Sequence, residues 1–530
     1  MTYQLISVIQ LREWLHDGKE IAVLDISEGG QFANAHILIA SNIPPAQIEV
    51  LLSALVPRQS TRIILTSADA TDAPAIAALM ATAGYMDIHV LDGGNNAWKS
   101  AGFRLFSGSN IVSKAFGEVV EAECETPHIE AEELASWIAD DKEFYLFDSR
   151  PLTEYRTVSL PRATDCPGGE LVYRVSDVVT DPTVPIVVNC AGRTRSIIGA
   201  QSLRDAGFPN PIYALKNGTM GWQIAGLAVE KGKSNILPEP NEPGLSVAVE
   251  RGRLVASRSG IRFVSFVDAT NWALDDTRTT YFFDVRQPDV FARGHVPGSV
   301  NAPGGQLVQA TDIFVAVRHS RIILIDDHLV QSVMSAHWLS RMGWDVWVME
   351  DAASHMTEMG LETKTALRPP RANVGIVGVS ELQTMLADHS CEVIDVGESY
   401  WYRQGRIPGS WYSKRSDLPM SLQRFSKDRH LVFVCTHGAT SPYAAGDALD
   451  LGYSRVSVLD GGRTAWRQAK KSIEVIDMDD DDFLLSVTDD MWYPPWSRKE
   501  GARESMIEYL TWEVGLMEFV SEETYVSFRL

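Results

Sequence analysis

Two cysteines stand at positions where chemistry is expected. Cys190 ends the apolar run IVVNC and opens the loop CAGRTR, and Cys435 ends LVFVC and opens CTHGAT. A helical pattern follows each loop. A loop wrapped over a helix N-terminus directs several backbone N–H groups to one point, and the helix dipole adds positive potential there. Such a cradle favours the thiolate, which is the nucleophilic form of cysteine. The two loops therefore predict two nucleophilic thiols.

The side chains of the two loops suit an anionic ligand. Arg193 and Arg195 would add permanent charge and forked donors for an oxyanion, and His437 would add a donor in the second loop. Ser196 and Ser441 are predicted to cap the helices that follow. A different interpretation of Cys190, as a small buried hydrophobic residue in a solvated loop, stays open at this point. The candidate binding residues are Ala191, Gly192, Arg193, Thr194, Arg195, Ser196, Thr436, His437, Gly438, Ala439, Thr440 and Ser441.

The pattern around these cysteines occurs four times along the chain. An apolar run that ends in Asp is followed, 42, 42, 42 and 40 residues later, by the end of a second apolar run. A loop, a helical pattern and a third apolar run come next, and the copies close in LDGGNNAWKSAG, LKNGTMGWQIAG, MEDAASHMTEMG and LDGGRTAWRQAK. This shared register indicates internal repetition. The paired positions are Asp25 and Ser67, Asp148 and Cys190, Asp284 and Asp326, and Asp395 and Cys435.

Alternation of strands and helices predicts the fold class. Strands that are apolar throughout are typical of parallel sheets covered on both faces, with right-handed crossovers. We predict an α/β protein of four tandem domains, each a small parallel sheet with helices on both faces, and a C-terminal helical extension. Chemistry is expected at the carboxyl ends of the strands, where both cysteines stand. The predicted boundaries are 1–108, 120–235, 250–368 and 372–475, with the extension at 476–530.

Composition limits the cellular setting and the partners. The chain has 530 residues and a formal net charge of −22, which argues against a nucleic-acid or anionic-membrane partner. Five cysteines at irregular spacing do not form a disulfide framework, so a reducing cytoplasm is predicted. The charged N-terminal segment excludes a secretory signal, and no apolar run is long enough to span a membrane. Metal-binding spacings and a phosphate loop are also lacking, so no metal or cofactor is predicted.

With these motifs assembled, the chain resembles the rhodanese family of sulfurtransferases, as a tandem of four such domains. The resemblance rests on DVRQPDVFARGHVPGSVNAPGG at 284–305, on the DGG and AW ends at 92–98 and 460–466, and on the six-residue cysteine loops. It implies a transferase similar to thiosulfate sulfurtransferase. In that family a cysteine takes a sulfane sulfur from a donor such as thiosulfate, polysulfide or mercaptopyruvate, holds it as a persulfide on the loop amides, and passes it to cyanide or a thiol.

The four copies differ at the cysteine position. CTHGAT fits the family pattern, whereas CAGRTR has its glycine one place early and an arginine at its end, so the donor of Cys190 is open. Ser67 and Asp326 replace the cysteine in the first and third copies and cannot carry a persulfide, so those domains are predicted to be inactive. The order resembles a duplicated two-domain rhodanese, with each inactive domain packed on the active domain that follows it.

Two other functions compete with this prediction. A persulfide carrier or sensor that delivers sulfur to a protein partner would use the same loops. A phosphatase of the related cell-cycle type would need a loop one residue longer and an arginine six places after the cysteine, where this chain has Ser196 or Ser441. The oligomeric state is open, and a homo-oligomer is one option.

Three minor features carry weaker predictions. The aspartates that end the first apolar runs are expected to order the adjacent loops. Cys166 is a less favoured partner for a disulfide or persulfide exchange with Cys190. The tail is expected to form a helix from Glu500 onward, docked on the last domain or across the halves, and the segment WYPPW is a candidate wall of an active-site mouth. The predicted apolar face of this helix is Met506, Tyr509, Leu510, Val514 and Met517.

Overall fold

The computed structural model describes residues 3–361, 365–477, 482–498 and 500–530. Each of the four domains contains five parallel strands which, counted along the domain, lie side by side in the order 1-5-4-2-3. The short strand Val317–Arg318 of the third domain is not part of this count. Helices connect the strands. The predicted fold class, four parallel α/β domains with a C-terminal helix, is confirmed.

The strands follow the apolar runs of the sequence. In the first domain they are Gln4–Ile6, Ile21–Asp25, Ser41–Asn42, Ile63–Thr66 and Ile88–Leu91, and in the second His128–Ile129, Tyr145–Asp148, Thr164–Asp165, Ile186–Asn189 and Ile212–Leu215. In the third they are Phe263–Val264, Thr280–Asp284, Val300–Asn301, Arg321–Ile325 and Asp345–Met349, and in the fourth Gly375–Val377, Cys391–Asp395, Trp411–Tyr412, His430–Val434 and Val456–Leu459.

The helices cover both faces of each sheet. The first domain has Val8–Leu15, Gly29–Asn34, Ile48–Leu55, Ala73–Thr82 and Gly94–Ser100, and the second has Ala131–Ala139, Leu152–Thr157, Leu171–Val178, Thr194–Asp205 and Gly218–Ile224. The third has Phe266–Ala273, Pro288–Arg293, Gly304–Gln309 and Gln331–Arg341, and the fourth has Val379–Ala387, Ser399–Arg403, Leu418–Ser421, Ser441–Asp450 and Gly462–Gln468. Outside the repeats lie Ile111–Glu123, Glu242–Ser259 and Ala502–Ser521. Short 3-10 turns occupy Pro45–Gln47, Gly168–Glu170, Thr311–Ile313, Ala352–His355, Arg415–Asp417, Leu422–Arg424 and Pro495–Ser497.

Burial on both faces explains why the strands are apolar throughout. In the strand His430–Val434, Leu431 and Phe433 belong to one apolar cluster, and Val432 and Val434 belong to another. Because successive side chains of a strand point to opposite faces, these two clusters are the cores on the two sides of the sheet. A strand in this position needs apolar residues at every place, which is the pattern found in the sequence.

The domains pair differently from the sequence-based expectation. One compact unit consists of Met1–Arg12, Ala22–Ser109 and Lys364–Lys499, and the other of Glu13–Ile21, Asn110–Thr363 and Glu500–Leu530. The first domain is therefore grouped with the fourth, and the second with the third. The expected pairing of neighbours, first with second and third with fourth, is wrong. The connecting segments include the helices Ile111–Glu123 and Glu242–Ser259, which bury apolar faces within the second unit, so they are parts of its core and not free linkers.

The C-terminal helix Ala502–Ser521 also belongs to the second unit. It packs on the helices Ile111–Glu123 and Gly218–Ile224, so the expectation that it docks on the last domain or across the halves is wrong. Its predicted apolar face is only partly right, because Val514 and Met517 are 51% and 41% exposed. The buried residues are Ser505, Met506, Leu510, Glu513, Leu516 and Val520. Among the described residues, no helix combines the length and hydropathy needed to cross a membrane.

Candidate active site

The fourth domain places Cys435 at the turn between a strand and a helix. The strand His430–Val434 ends beside it, and the helix Ser441–Asp450 begins six residues later. The backbone N–H of Ser441 donates to the cysteine Sγ at 3.4 Å, and the Ser441 hydroxyl lies 3.5 Å from the same sulfur. Thr440 is the N-cap, so the prediction that Ser441 caps this helix is wrong by one position. The sulfur therefore faces the positive end of the helix, as the loop pattern predicted.

The third apolar run ends in a turn that packs against the cysteine loop. Gly462 has a φ of +59°, and a Cβ at this position would lie 2.3 Å from the carbonyl oxygen of Cys435. The next residue, Arg463, donates its backbone N–H to that carbonyl at 2.9 Å. The second domain repeats the arrangement, because Gly218 approaches the Cys190 carbonyl in the same way. This close approach is the physical reason for the glycine in these turns.

A cavity of about 490 Å³ opens over Cys435 in the first unit. Its walls come from both domains of that unit, because Glu28, Pro44, Ala46 and Gln47 belong to the first domain and the other lining residues to the fourth domain and the segment after it. The size is that of a small-molecule binding pocket. Its charged and aromatic lining residues are Glu28, Glu398, Trp401, Tyr412, Lys414, Arg415, His437, Arg463, Arg467 and Asp490. The segment WYPPW is not among the residues that line this cavity.

The cationic side chains of this cavity differ in their hydrogen-bond and ion-pair partners. Arg415 binds both carboxylate oxygens of Glu49 at 2.7 and 2.9 Å, and the Lys414 ammonium lies 2.6 Å from Asp489. Arg463, which is 3% exposed, lies 3.3 Å from Asp395 through Nε and donates from Nη2 to the Thr436 hydroxyl at 2.8 Å. Its Nη1 has no hydrogen-bond partner among the described residues.

Two carboxyl groups on the cavity wall are shifted by burial. Burial raises the pKa of Glu28 to about 7, although a hydrogen bond from the Ser416 hydroxyl and the nearby Lys414 charge oppose the shift. Burial also raises the pKa of Glu398. The charge of the cavity therefore changes near neutral pH. His437 is exposed, and its Nδ1 lies 2.9 Å from the Thr464 hydroxyl.

Cys190 occupies the equivalent turn of the second domain and is buried, as is Cys435, which is 3% exposed. Cys190 is 1% exposed, and its Sγ lies 3.5 Å from the Ser196 hydroxyl. Burial raises the pKa of this thiol, and the charge of Arg195 opposes that shift. The helix begins at Thr194, so Ser196 lies inside its first turn and the prediction that it caps the helix is wrong. All five cysteines, Cys166 included, are free thiols.

Carboxylates occupy both arginines of the Cys190 loop. Arg193 donates to the two carboxylate oxygens of Glu118 at 2.7 Å each and also contacts Glu121. Arg195 donates to the two oxygens of Glu154 at 2.8 Å each. Because both guanidinium forks are already paired, the structure does not present them to a free oxyanion. Their predicted role in donor docking stays a prediction.

The C-terminal helix covers the Cys190 loop. The Thr194 hydroxyl donates to Glu513 at 2.8 Å, and Met506 and Leu510 form an apolar cluster with Met220. Neither Glu118 nor Glu513 was singled out from the sequence, because both lie outside the repeated pattern. The only signal was the helical period of the tail, which does not indicate where the helix docks.

In the two loops that lack cysteine, the side chain at the cysteine position accepts hydrogen bonds from the loop itself. The Asp326 carboxylate accepts the N–H groups of Leu329, Val330 and Gln331 at 3.0, 2.9 and 2.9 Å, and the Ser332 hydroxyl at 2.6 Å. A negative group of the chain itself thus fills this cradle. In the first domain the Ser67 hydroxyl accepts the N–H of Ala70 at 3.1 Å.

The aspartates that end the first apolar runs order their loops, as predicted. Each of Asp25, Asp148, Asp284 and Asp395 accepts, through its Oδ1, the backbone N–H two residues further on, at 2.9 to 3.1 Å.

The four domains share one topology, and in two of them a cysteine stands on the loop between a strand and the N-terminus of a helix. The family model for the rhodanese-like domain matches residues 7–101, 130–225, 268–354 and 378–469. These ranges cover most of the sequence, so the chain belongs to the rhodanese-like family. It is a transferase of the rhodanese type.

Some similar proteins match a single domain of this chain, and another matches its whole length. The thiosulfate sulfurtransferase GlpE of Shewanella oneidensis is 31% identical over 93 residues, which are 18% of this chain and 92% of that protein. The putative sulfurtransferase YtwF of Bacillus subtilis is 31% identical over 85 residues, 16% of this chain and 82% of that protein. The crystal structure of a thiosulfate sulfurtransferase from Pseudomonas aeruginosa matches 99% of both chains with 37% identity and a TM-score of 0.90.

Proposed function

We propose that the chain transfers a sulfane sulfur from thiosulfate, or a related small anionic donor, to cyanide or a thiol through a persulfide on Cys435. The observation that carries this proposal is the position of the Cys435 sulfur, at a helix N-terminus and on the wall of a cavity of about 490 Å³. The similarity to proteins named thiosulfate sulfurtransferase supports the choice of donor.

The reaction has two displacement steps, and each of them balances. The Cys435 thiolate attacks the outer sulfur of thiosulfate, so that a new S–S bond forms while the old one breaks and sulfite leaves with the electron pair. Cyanide or a thiolate then attacks the outer sulfur of the persulfide, and the cysteine thiolate leaves. The products are thiocyanate or a new persulfide. The N–H of Ser441 and the positive end of the helix stabilise the sulfur anion before the first step and after the second.

Cys190 is a second candidate nucleophile, but its surroundings weigh against rapid turnover. The C-terminal helix lies on its loop, burial raises the pKa of its thiol, and the arginines of its loop are bound to carboxylates. We propose that Cys190 contributes little to transfer from thiosulfate while the C-terminal helix is docked.

Thiocyanate formation from thiosulfate and cyanide tests the assignment. Cys435→Ala should lower kcat/KM by about 10³-fold or more, because the nucleophile is lost. Cys190→Ala should keep most of the rate. Cys391→Ala is the matched control, because Cys391 is a buried thiol of the same domain. Intact-mass analysis after exposure to thiosulfate should show one added sulfur atom that is missing in Cys435→Ala.

Two results would overturn the proposal. One is full activity of Cys435→Ala, which would move the chemistry elsewhere. The other is hydrolysis of a generic aryl phosphate without any sulfur loading, which would favour the phosphatase alternative.

A further inference from the structure

We propose that Arg463 receives the oxyanion end of the sulfur donor at Cys435, an inference that rests on the proposed function. Arg463 lies outside the cysteine loop, on the turn that closes the third apolar run. Its backbone N–H donates to the Cys435 carbonyl at 2.9 Å, so this turn fixes its position relative to the nucleophile. Both residues line the same cavity.

The fourth domain supplies this guanidinium differently from the second and third domains. In the second and third domains, the aspartate that ends the second strand of the domain binds an arginine two residues further along the chain. Arg150 donates to Asp148 at 2.8 and 2.7 Å, and Arg286 binds Asp284 in the same way. In the fourth domain that place is occupied by Gly397. Asp395 is instead paired at 3.3 Å with Arg463, which comes from the opposite side of the site.

Gly397 lies directly against this ion pair. A Cβ at Gly397 would lie 2.9 Å from Nη2 of Arg463 and 3.1 Å from a carboxylate oxygen of Asp395. The glycine therefore leaves the space that the guanidinium fills. The turn positions equivalent to Arg463 carry Asn95 in the first domain and Thr219 in the second, and both are short neutral side chains that bond within their own domains.

The three nitrogens of the Arg463 guanidinium differ in their partners. Nε faces Asp395 and Nη2 donates to Thr436, while Nη1 has no hydrogen-bond partner among the described residues. A buried N–H group without a partner is unfavourable, and an oxyanion would supply a charge-assisted acceptor. Arg415 and Lys414 line the same cavity, but each is already bound to carboxylates.

Steady-state kinetics with two donors test the role of Arg463. In Arg463→Ala the KM for thiosulfate should rise about 10- to 100-fold, the loss expected for one hydrogen bond to a charged group. With an alkyl hydropersulfide as donor, which has no oxyanion end, KM should change less than about 3-fold. The Cys435 thiolate attacks the outer sulfur of this donor, and the alkyl thiolate leaves. Arg429→Ala is the matched control, because Arg429 belongs to the same domain, binds Glu392 and is not among the residues that line the cavity. That variant should keep the thiosulfate KM within about 3-fold. Methylguanidinium should restore part of the thiosulfate turnover of Arg463→Ala.

The outcomes separate this inference from the proposed function. An unchanged thiosulfate KM in Arg463→Ala, with turnover still dependent on Cys435, overturns the role of Arg463 and leaves the proposed function standing. Equal losses with both donors, without rescue by methylguanidinium, show a structural role and also overturn the inference. If Cys435→Ala turns over thiosulfate as fast as the parent protein, the proposed function itself is overturned.

Discussion

Replacing Leu510 by alanine should make the Cys190 thiol react with iodoacetamide about 30-fold faster. Leu510 is 6% exposed and packs with Met220 and Met506 beside the Cys190 loop. Replacing a buried leucine by alanine lowers stability by about 2–5 kcal/mol. We use the lower value, because a helix on the surface of its unit can shift to fill part of the space that the side chain leaves. If docking of the C-terminal helix weakens by about 2 kcal/mol, the fraction of molecules with this helix undocked rises about 30-fold, because 1.4 kcal/mol corresponds to a factor of ten. The labelling rate of Cys190 should rise by the same factor, because the thiol reacts when the helix is undocked.

Peptide mass spectrometry can follow this reaction in the full chain. A Cys435→Ala background removes the other loop thiol, and a fixed pH keeps the thiolate fraction of Cys190 comparable between variants. Val514→Ala is the matched control, because Val514 lies on the same helix but is 51% exposed. This control should leave the labelling rate within about 2-fold of the parent. Equal labelling rates in the Leu510 and Val514 variants would refute the claim that the docked helix shields the thiol.

Three further perturbations follow from the described contacts. Burial raises the pKa of Glu28 to about 7, so this carboxyl group is neutral below that pH and anionic above it. Because the anion repels thiosulfate, the KM for thiosulfate should rise between about pH 6 and pH 8. The same pH profile of KM in Glu28→Gln would contradict this prediction. Asp326→Ala leaves three backbone N–H groups, two of them in buried hydrogen bonds, without their acceptor. It should lower the free energy of unfolding of its unit by about 3–6 kcal/mol, as measured by urea denaturation. Gly462→Ala should abolish sulfur transfer, because its Cβ would meet the Cys435 carbonyl, whereas Gly409→Ala, at a similar φ but with open space around it, should retain transfer.

The fold could be predicted because its signals are local and repeated. Apolar runs at a fixed register indicate strands buried on both faces, and the loops between strand and helix place Cys190 and Cys435 at the same edge of their sheets. The predicted helix caps were wrong by one residue at Ser441 and by three residues at Ser196. Serine is favoured at a cap, yet here Ser196 and Ser441 lie in the first turn, where their hydroxyls face the cysteine sulfurs.

The surroundings of the two thiols could not be predicted, because they depend on contacts between distant segments. The sequence suggested that Arg193 and Arg195 face a ligand, but their carboxylate partners come from other elements, such as Glu118 on a connecting helix. Arg463 carried a partial signal. The fifth strand lies between the first and the fourth, so the turn after it must lie beside the cysteine loop. The pairing of Arg463 with Asp395 through the gap at Gly397 needs side-chain positions that no periodic pattern contains.

The carboxylate of Asp326 has a consequence for how the two units respond to salts. It is tethered to the loop whose N–H groups it binds, so dissolved sulfate or phosphate cannot compete with it at any ordinary concentration. Among the described residues, no carboxylate stands at the place of Asp326 in the Cys435 loop, where the N–H of Ser441 instead faces the cysteine sulfur, and we expect buffer oxyanions to bind there. Added sulfate should therefore raise the melting temperature of the unit that holds Cys435 through this loop, while the Asp326 loop gives the other unit no such gain.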